Sequence, residues 1–229
     1  MSLTFGGATT DKVDCGAFTD DLTTLTAMAW VYPTTLTNNV IIISKYRGST
    51  AEGWAFRSAS TGGSTGEIEI AWEPSSRSTT NTAPLSSTNK WYFVAATIDR
   101  GANAGHIYVG DLTTAMSEPT YGTSTWTGSY NSDAPRNLFI GNRDNTTPNG
   151  AFVGNIAFSA MFNTVLTSAQ IEVYRKAPYK VKTDSACIGA WSLGPGTGTQ
   201  RDFVAANNGT VTGATSGAHV PLCTAIKYL

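Results

Sequence analysis

The residues best able to do chemistry are three glutamates in one short segment, EIEIAWE, which holds Glu67, Glu69 and Glu73. Acidic and apolar residues alternate there, which predicts a strand with all three carboxylates on one face. A pair of carboxyl groups can hydrolyse a glycosidic bond when they lie about 5 to 5.5 Å apart, or about 6.5 to 9.5 Å apart with inversion. At about 3.3 Å per residue, only Glu67 and Glu69 come near that spacing, at about 6.6 Å. A solvent-facing strand edge explains the glutamates equally well, so a glycoside hydrolase ranks last among the functions considered.

Other groups capable of catalysis lack the neighbours that catalysis needs. The two histidines, His106 and His219, lie in neither a Ser-His-Asp nor an HExxH context. The three cysteines, Cys15, Cys187 and Cys223, are too far apart for a CxxC metal site, and any disulfide scheme leaves one of them over. We interpret them as small buried hydrophobes, with a bridge between Cys187 and Cys223 as the alternative. We therefore predict a protein that is not an enzyme, with no catalytic residue, no metal site and no cofactor.

Aromatic residues in a polar segment are better candidates for a contact site. The segment YGTSTWTGSYNSDAP contains Tyr121, Trp126 and Tyr130. Exposed aromatic side chains stack on sugar rings and also anchor protein interfaces. For Trp126, sugar contact, a protein interface and local packing all remain open. We predict that these three aromatic residues lie in or near a ligand or interface contact.

Charge and composition exclude several classes of partner. The 229 residues include 15 Lys and Arg against 16 Asp and Glu, a net charge of -1, and the basic residues are scattered. No basic stripe could neutralise nucleic-acid phosphates, so we predict no nucleic-acid partner. No apolar run approaches the roughly 18 residues of a membrane helix, and the N-terminus lacks the features of a secretory signal. Hydrophobic residues make up 41% of the chain and charged residues only 14%, which suits a large core and favours association.

The elements that would position these residues are short β-strands. Apolar or alternating runs are bounded by clusters of Gly, Asn, Asp, Pro, Ser or Thr, a pattern typical of strands that end in turns. The predicted strands cover residues 25–32, 40–46, 54–57, 67–72, 91–99, 106–109, 137–140 and 156–162. One short helix is predicted over 167–176, because Thr167 and Gln170 have capping-box spacing, and Pro178 ends it. Three tryptophans within apolar runs are predicted to be core: Trp30, Trp91 and Trp191.

In their order along the chain, these segments resemble the laminin-G-like, concanavalin-type jelly roll. LTFGGATTDKVDCG, LTTLTAMAWVYP, IIISKYR, NKWYFVAATID and IYVGD are similar to successive strands of that family. The most specific stretch is LFIGNRD followed by FVGNIAFSAMFNTVLTSAQIEVY, in which Gly154 would allow close backbone approach. The resemblance covers roughly residues 3–176. It implies an all-β fold, a two-sheet antiparallel jelly-roll sandwich.

The resemblance also implies a domain division and a possible cation. Residues 1–180 form the jelly-roll domain, and 181–229 form a C-terminal β extension that packs on the same domain, with a hairpin turn predicted at Asn208-Gly209. Jelly rolls of this type often hold a structural calcium, and Asp11, Asp14 and Asn155 lie in segments resembling those that supply its oxygens. Calcium takes about six to eight oxygens. Because the sequence has no dense carboxylate cluster, turn and surface roles are favoured for these residues.

The combination of this domain, this tail and the absence of a signal peptide resembles structural proteins of tailed bacteriophages. The resemblance implies a non-enzymatic virion protein that decorates a capsid or forms part of a tail or fibre. Its partners would be other virion proteins and further copies of itself, and its location would be the virion, after synthesis in the host cytoplasm. The alternative is a carbohydrate-binding adhesin module that contacts a surface glycan. The jelly roll hosts many functions, so the choice depends on the site.

Overall fold

The computed structural model describes residues 1–59, 65–144 and 150–221, which form two antiparallel sheets packed face to face. The strands, in chain order, are β1 (Ser2–Gly6), β2 (Lys12–Ala17), β3 (Thr24–Pro33), β4 (Ile41–Arg47), β5 (Glu52–Ser58), β6 (Ile68–Trp72), β7 (Ser76–Thr80), β8 (Tyr92–Asp99), β9 (Ala104–Asp111), β10 (Tyr121–Thr125), β11 (Asn137–Ile140), β12 (Val153–Phe162), β13 (Cys187–Ser192), β14 (Thr199–Gln200), β15 (Gly209–Thr212) and β16 (Thr215–Gly217). The predicted fold class, an all-β jelly-roll sandwich, is confirmed.

The strands divide into sheets A and B. Sheet A has the order β16-β1-β12-β3-β8-β9, and sheet B has the order β10-β7-β6-β5-β4-β11-β2-β15-β14. The first part of β12 pairs with β1 and the later part pairs with β13. Trp191 of β13 is fully buried in the core between the sheets. The C-terminal segment therefore contributes a strand and a core side chain to sheet A.

Alternating side chains build the core between the sheets. On β6, Ile68, Ile70 and Trp72 point inward and are fully buried, so the residues between them face the opposite side of sheet B. The predicted core tryptophans are all buried: Trp30, Trp91 and Trp191. Each large apolar side chain that is buried in this way stabilises the fold by about 1.5 to 3 kcal/mol.

A helical layer covers the outer face of sheet A. The helix α1 (Ser168–Lys176) begins at the predicted capping box, in which Thr167 accepts from the backbone of Gln170 and Gln170 reaches back to Thr167. It is followed by a 3₁₀ helix (Pro178–Thr183), which the sequence patterns did not predict. Because sheet A is covered on both faces, β3 and β12 are buried along almost their whole length, which explains their continuous apolar runs. Neither helix in the described ranges has the length and apolar character needed to cross a membrane.

Glycine allows two strands of sheet A to approach closely. Gly154 has a φ of +135°, and a Cβ at this position would lie 2.1 Å from the carbonyl oxygen of Tyr32. The predicted close approach at Gly154 is confirmed, because any side chain there would collide with β3.

The predicted two-residue hairpin turn at Asn208-Gly209 is wrong. β15 begins at Gly209, and residues 201–208 join it to β14. Asp202 shapes this longer loop: its carboxylate accepts from three backbone N–H groups, those of Ala190, Val204 and Asn207. These bonds to a distant strand and within the loop outweigh the local turn preference of Asn-Gly.

A buried ammonium group joins two loops at one end of the sandwich, which we call the closed end. Lys45, on β4, has a side chain that is only 1% exposed. Its Nζ donates to the carbonyls of Phe18 at 3.1 Å and Thr19 at 3.4 Å. It also lies 2.5 Å from the carboxylate of Asp20 and 3.4 Å from that of Asp133. The cation thus holds the β2–β3 connection (18–23) and the β10–β11 connection (126–136) to one point on sheet B.

Asp133 joins the same two connections by hydrogen bonds. Its carboxylate accepts from the backbone N–H of Asp21 at 2.8 Å and from Nε1 of Trp54 at 3.1 Å. Burial raises the pKa of Asp133, while the bond from Asp21 and the charge of Lys45 oppose that shift. The carboxylate therefore depends on these partners to stay charged inside the protein.

We expect Lys45→Met to lower the free energy of unfolding by about 3 to 5 kcal/mol, because it leaves the buried carboxylate of Asp133 without its cation. Urea unfolding measures this loss. The double variant Lys45→Met/Asp133→Asn should recover part of it, because the uncompensated charge is then gone. Equal losses in the single and double variants would contradict the role of the ion pair.

Ion pairs also hold α1 against the β9–β10 connection. The carboxylate of Glu172 accepts from Arg175 Nε at 2.7 Å and from the backbone N–H of Met116 at 3.0 Å. Arg175 in turn donates to the carbonyl of Asp111. The hydrogen bond from Arg175 lowers the pKa of Glu172 to about 2, against the opposing effect of burial.

We expect this carboxylate to make stability depend on pH. Its pKa in the fold, about 2, lies below its ordinary value of 4.5, so its stabilisation is present above 4.5 and is lost as the pH falls towards 2. Glu172→Gln should therefore be less stable than the wild type at about pH 6, and the difference should shrink by about pH 2.5. Urea unfolding at a series of pH values measures it. A difference that stays constant over that range would show that the loss is not electrostatic.

Candidate functional site

An open cleft of about 570 Å³ lies beside the closed end of the sandwich. Its lining comes from three connections between strands: Asp21, Thr23, Arg100, Gly101, Gly128, Tyr130 and Ser132. The volume falls within the range of about 300 to 1,000 Å³ that is usual for ligand sites. Apart from Tyr130, the lining residues have polar side chains or are glycines, and the cleft is open, so a ligand bound there would stay partly in solvent.

Arg100 is held in one orientation at the centre of the cleft. Its guanidinium carbon lies 4.7 Å from the ring centroid of Tyr130 and 4.9 Å from that of Trp72. The two rings meet edge to face, with centroids 5.9 Å apart. One Nη1 hydrogen goes to the carbonyl of Asp21 at 3.2 Å, yet the side chain keeps 23% of its surface exposed. Cation–π contacts with the two rings thus hold the guanidinium in place while part of the side chain still faces solvent.

Asp21 brings a carboxylate to the same cleft. Its backbone has a φ of +49°, a left-handed conformation that Asp tolerates better than most residues. The Oδ2 atom accepts from the hydroxyl of Ser132 at 2.7 Å, and Oδ1 lies 3.9 Å from Nη1 of Arg100. The side chain is 43% exposed, so its remaining acceptor positions can reach a ligand. The contacts with Asp133 and Ser132 position this carboxylate before any ligand arrives.

The strands explain why these side chains meet. Arg100 follows the end of β8, and its backbone N–H bonds to the carbonyl of Thr23, just before β3, at 2.9 Å. Tyr130 donates its hydroxyl to the amide oxygen of Asn103 at 3.0 Å, which ties the β10–β11 connection to the turn after β8. Burial raises the pKa of the Tyr130 hydroxyl, while the charge of Arg100 opposes the shift. Three connections that are distant in sequence therefore share one end of the sandwich.

Of the three aromatic residues predicted as contacts, only Tyr130 lines the cleft. Trp126 is half-buried and packs on Gly105, where a Cβ would lie 1.9 Å from its ring, and its Nε1 donates to Ser78 at 2.9 Å. The hydroxyl of Tyr121 accepts from the backbone N–H of Ile107 at 2.7 Å. Trp126 and Tyr121 both pack between the edges of the two sheets. The structure thus gives Trp126 the contacts of local packing, and a contact with a partner stays a prediction for all three residues.

The three glutamates share the outer face of sheet B, but they are buried there rather than solvent-facing. Glu67, Glu69 and Glu73 are 7%, 2% and 9% exposed. Arg57 lies directly opposite Glu69 on β5, donates to its carboxylate from Nε at 2.8 Å, and lies 3.8 Å from the Glu73 carboxylate. The solvent-facing interpretation is wrong because the neighbouring strand supplies a buried counter-charge. This arrangement is an ion-pair network within the sheet.

The three residues considered as calcium ligands each make different hydrogen bonds. Asp11 accepts from two backbone N–H groups of its own turn, at 2.6 and 3.2 Å. Asp14 accepts from the amide of Asn137 at 3.1 Å, and Asn155 accepts from the hydroxyl of Thr4 at 2.8 Å. Within residues 1–59, 65–144 and 150–221, no three His, Cys, Asp or Glu side chains come together as metal ligands. The contacts that the structure gives Asp11, Asp14 and Asn155 are those of turns and strand pairing.

Two of the cysteines are small buried side chains, as the sequence predicts. Cys15 and Cys187 are both buried, and burial raises the pKa of Cys187 to about 12. A thiol with such a pKa stays protonated and is a poor nucleophile. Cys223, the partner in the alternative disulfide, lies outside the described residues.

Sequence reasoning missed Arg100, Asp21 and Ser132. Asp21 and Arg100 stand next to other turn-forming residues, in TDD and DRG, which carry no signal of a shared site. Only the pairing of β3 with β8 brings the two connections side by side. A search for charged residues just outside the ends of paired strands could have found them.

Comparison with known proteins places the chain in a family. Residues 5–172 match the laminin-G model of the concanavalin A-like lectin/glucanases superfamily. A "putative carbohydrate binding protein" from Bacteroides ovatus aligns with 95% of the chain at 19% identity and a TM-score of 0.64, and the chain spans 59% of that protein. A heptameric SAP-like pentraxin from Limulus polyphemus aligns with 76% of the chain and 81% of its own length, at 12% identity and a TM-score of 0.54.

Full-length tailspike protein 2 of an Escherichia coli O157:H7 bacteriophage shares the fold over 83% of the chain but only 26% of the tailspike, at 12% identity and a TM-score of 0.51. No curated protein sequence matches the chain. At these identities the solved structures establish the fold alone. The family match covers most of the chain, and the chain therefore belongs to the concanavalin A-like lectin/glucanases superfamily as a laminin-G-type domain.

Proposed function

We propose that this domain is a non-enzymatic glycan-binding module and that the cleft around Arg100 holds the glycan. The observation that carries the proposal is the pair of oriented polar groups in the cleft, the guanidinium of Arg100 and the carboxylate of Asp21. The fold likeness to the Bacteroides ovatus protein, whose description names carbohydrate binding, supports the same class of ligand.

The chemistry of the cleft matches that of a sugar. A pyranose presents neighbouring hydroxyl groups, each of which can donate and accept a hydrogen bond. The exposed part of Arg100 can donate to two of them in one plane, and Asp21 can accept from others. Both groups are already held in place, so little conformational entropy is lost on binding. The open shape of the cleft suits a residue within a longer glycan better than an enclosed small molecule.

The carboxylates favour binding without hydrolysis. Glycoside hydrolysis uses two carboxyl groups on either side of the scissile bond. In the cleft lining that the structure describes, Asp21 supplies the single carboxylate. On the outer face of sheet B, Glu69 is bonded to Arg57 and to the hydroxyl of Thr79, so it serves structure there.

We expect Arg100→Ala to weaken glycan binding by about tenfold to a hundredfold, which corresponds to the loss of charge-assisted hydrogen bonds. A glycan array identifies the ligand, and calorimetry with the best oligosaccharide measures the affinity. Arg100→Lys should also bind weakly, because a lysine lacks the planar set of donors that stacks on Tyr130.

The matched control is Arg201→Ala, an exposed arginine outside the cleft lining, which should bind as the wild type does. Mass spectrometry of the recovered oligosaccharide should show it intact. Binding that survives Arg100→Ala would move the site elsewhere, and cleavage of the oligosaccharide would overturn the non-enzymatic assignment.

We also propose that the domain is carried on a virus particle, where it decorates a capsid or forms part of a tail or fibre. The tailspike with this fold supports that setting, because there the fold is one part of a much longer virion protein. The small net charge and low charged fraction of the chain suit dense packing beside other virion proteins and further copies.

This setting has its own test. Quantitative mass spectrometry of purified particles from the virus that encodes the chain should find it in a fixed ratio to the major capsid protein. Antibody labelling in electron micrographs should then place it on the capsid or tail. Particles that lack the chain would contradict the virion setting but would not bear on the proposed glycan site.

A further inference from the structure

The two sheets end at four outer strands, which differ in length, and β13, which pairs with β12 beside β1, presents a further side. Sheet A ends at β16 and β9, and sheet B ends at β10 and β14. β16 has three residues and β14 has two, so neither offers more than a short backbone edge. β9 has eight residues and β10 has five. An edge strand of that length exposes backbone N–H and C=O groups that can pair with another chain.

The outward backbone groups of β9 are already satisfied within the chain. The carbonyl of Gly105 accepts from the hydroxyl of Ser78 at 2.6 Å. The N–H of Ile107 donates to the hydroxyl of Tyr121 at 2.7 Å. Val109 pairs with Ser117 through two backbone bonds, at 2.9 and 3.0 Å. β9 is therefore closed to a partner along the part of its length that these bonds cover.

β13 has six residues, but Gly189 to Trp191 are buried, and the N–H and C=O of Ala190 bond to the Asp202 carboxylate and the N–H of Phe203. β10 is therefore the exposed edge that remains available in the described part of the chain. It pairs with β7 and ends the order of sheet B, and Gly122 to Thr125 are exposed. A register shift lies between Tyr121 and Thr123, after which Thr123 to Thr125 pair regularly with β7. Protected edges usually carry lysine, proline or inward charge. Here the whole segment 119–132 has no charged residue, and its single proline, Pro119, precedes the strand.

We propose that β10 is a self-association edge, on which the β10 of a second copy pairs antiparallel about a twofold axis. Sheet B would then run continuously through both copies. Two identical strands with no charge meet without like-charge repulsion, and Thr–Thr pairs stabilise antiparallel neighbours. A twofold contact is closed, so it yields a dimer rather than a filament.

No apolar side chain projects from Gly122 to Thr125, so affinity must come from backbone hydrogen bonds, as in other cases of strand addition. The bond between Ser124 and Ser78 holds β10 on β7, which keeps the edge extended before it meets a partner. This contact does not depend on which ligand the cleft binds.

The test places charge on the edge. Thr123 and Thr125 lie opposite Thr79 and Arg77 on β7, on the outer face of sheet B. In the variant Thr123→Lys/Thr125→Lys, the pairing would bring like charges together, so dimerisation should weaken by about tenfold or more. Sedimentation velocity over a range of concentrations measures the dissociation constant. Circular dichroism and thermal unfolding establish that each variant is folded.

The matched control is Thr210→Lys/Thr212→Lys, which adds the same charge to exposed threonines of β15, a strand with a neighbour on each side. This control should dimerise as the wild type does. An equimolar mixture of Thr123→Lys/Thr125→Lys with Thr123→Glu/Thr125→Glu should sediment as a dimer, because opposite charges then face each other. A wild type that stays monomeric at the highest soluble concentration would overturn the proposal. So would dimerisation that β10 lysines leave unchanged or that β15 lysines weaken equally.

Discussion

The burial of alternate side chains between two sheets is the constraint on which the other features depend. On β6, Ile68, Ile70 and Trp72 must face inward, so Glu69, which lies between them, must face outward. Polar groups outside this core lie, among other places, on the outer face of sheet B, at the closed end of the sandwich and where α1 meets the β9–β10 connection. In each place the polar groups are paired with one another, because a polar group removed from water needs a hydrogen-bond or charge partner in the protein.

The ion pairs at these places differ in how completely they are enclosed. Arg57 and Glu69 are both almost fully buried, and each is the other's close partner across two strands. The side chains of Arg100 and Asp21 have exposed fractions of 23% and 43%, and Nη1 of Arg100 lies 3.9 Å from the Asp21 carboxylate. The first pair uses its hydrogen-bonding capacity on the protein. The second pair keeps part of its capacity for a ligand, which is why we propose the cleft, and not the glutamates, as the binding site.

The sequence predicted much of the fold and little of the site, and the reason is physical. β3, β8 and β12 were predictable because both faces of sheet A are covered, which demands continuous apolar runs. β7 and β10 consist largely of serine and threonine with polar neighbours, so apolar periodicity gives no sign of them. The cleft depends on Asp21 and Arg100, 79 positions apart. Their meeting is a consequence of strand pairing, which local patterns do not encode. Tyr130 was predictable because an aromatic ring in a polar loop is conspicuous by composition alone.

The buried ammonium of Lys45 lets the closed end of the sandwich hold its loops together without a bound metal ion. Two carbonyl oxygens and two carboxylates surround this group, a set of donors that could equally surround a small inorganic cation. A lysine cation is tethered by its own backbone, so it cannot be washed out, exchanged or sequestered. The loops that carry Asp21 and Tyr130 are thus held by a counter-ion whose local concentration never changes. Neither a chelating agent nor a change in the metal-ion concentration of the surroundings therefore loosens the contact between Lys45 and these loops.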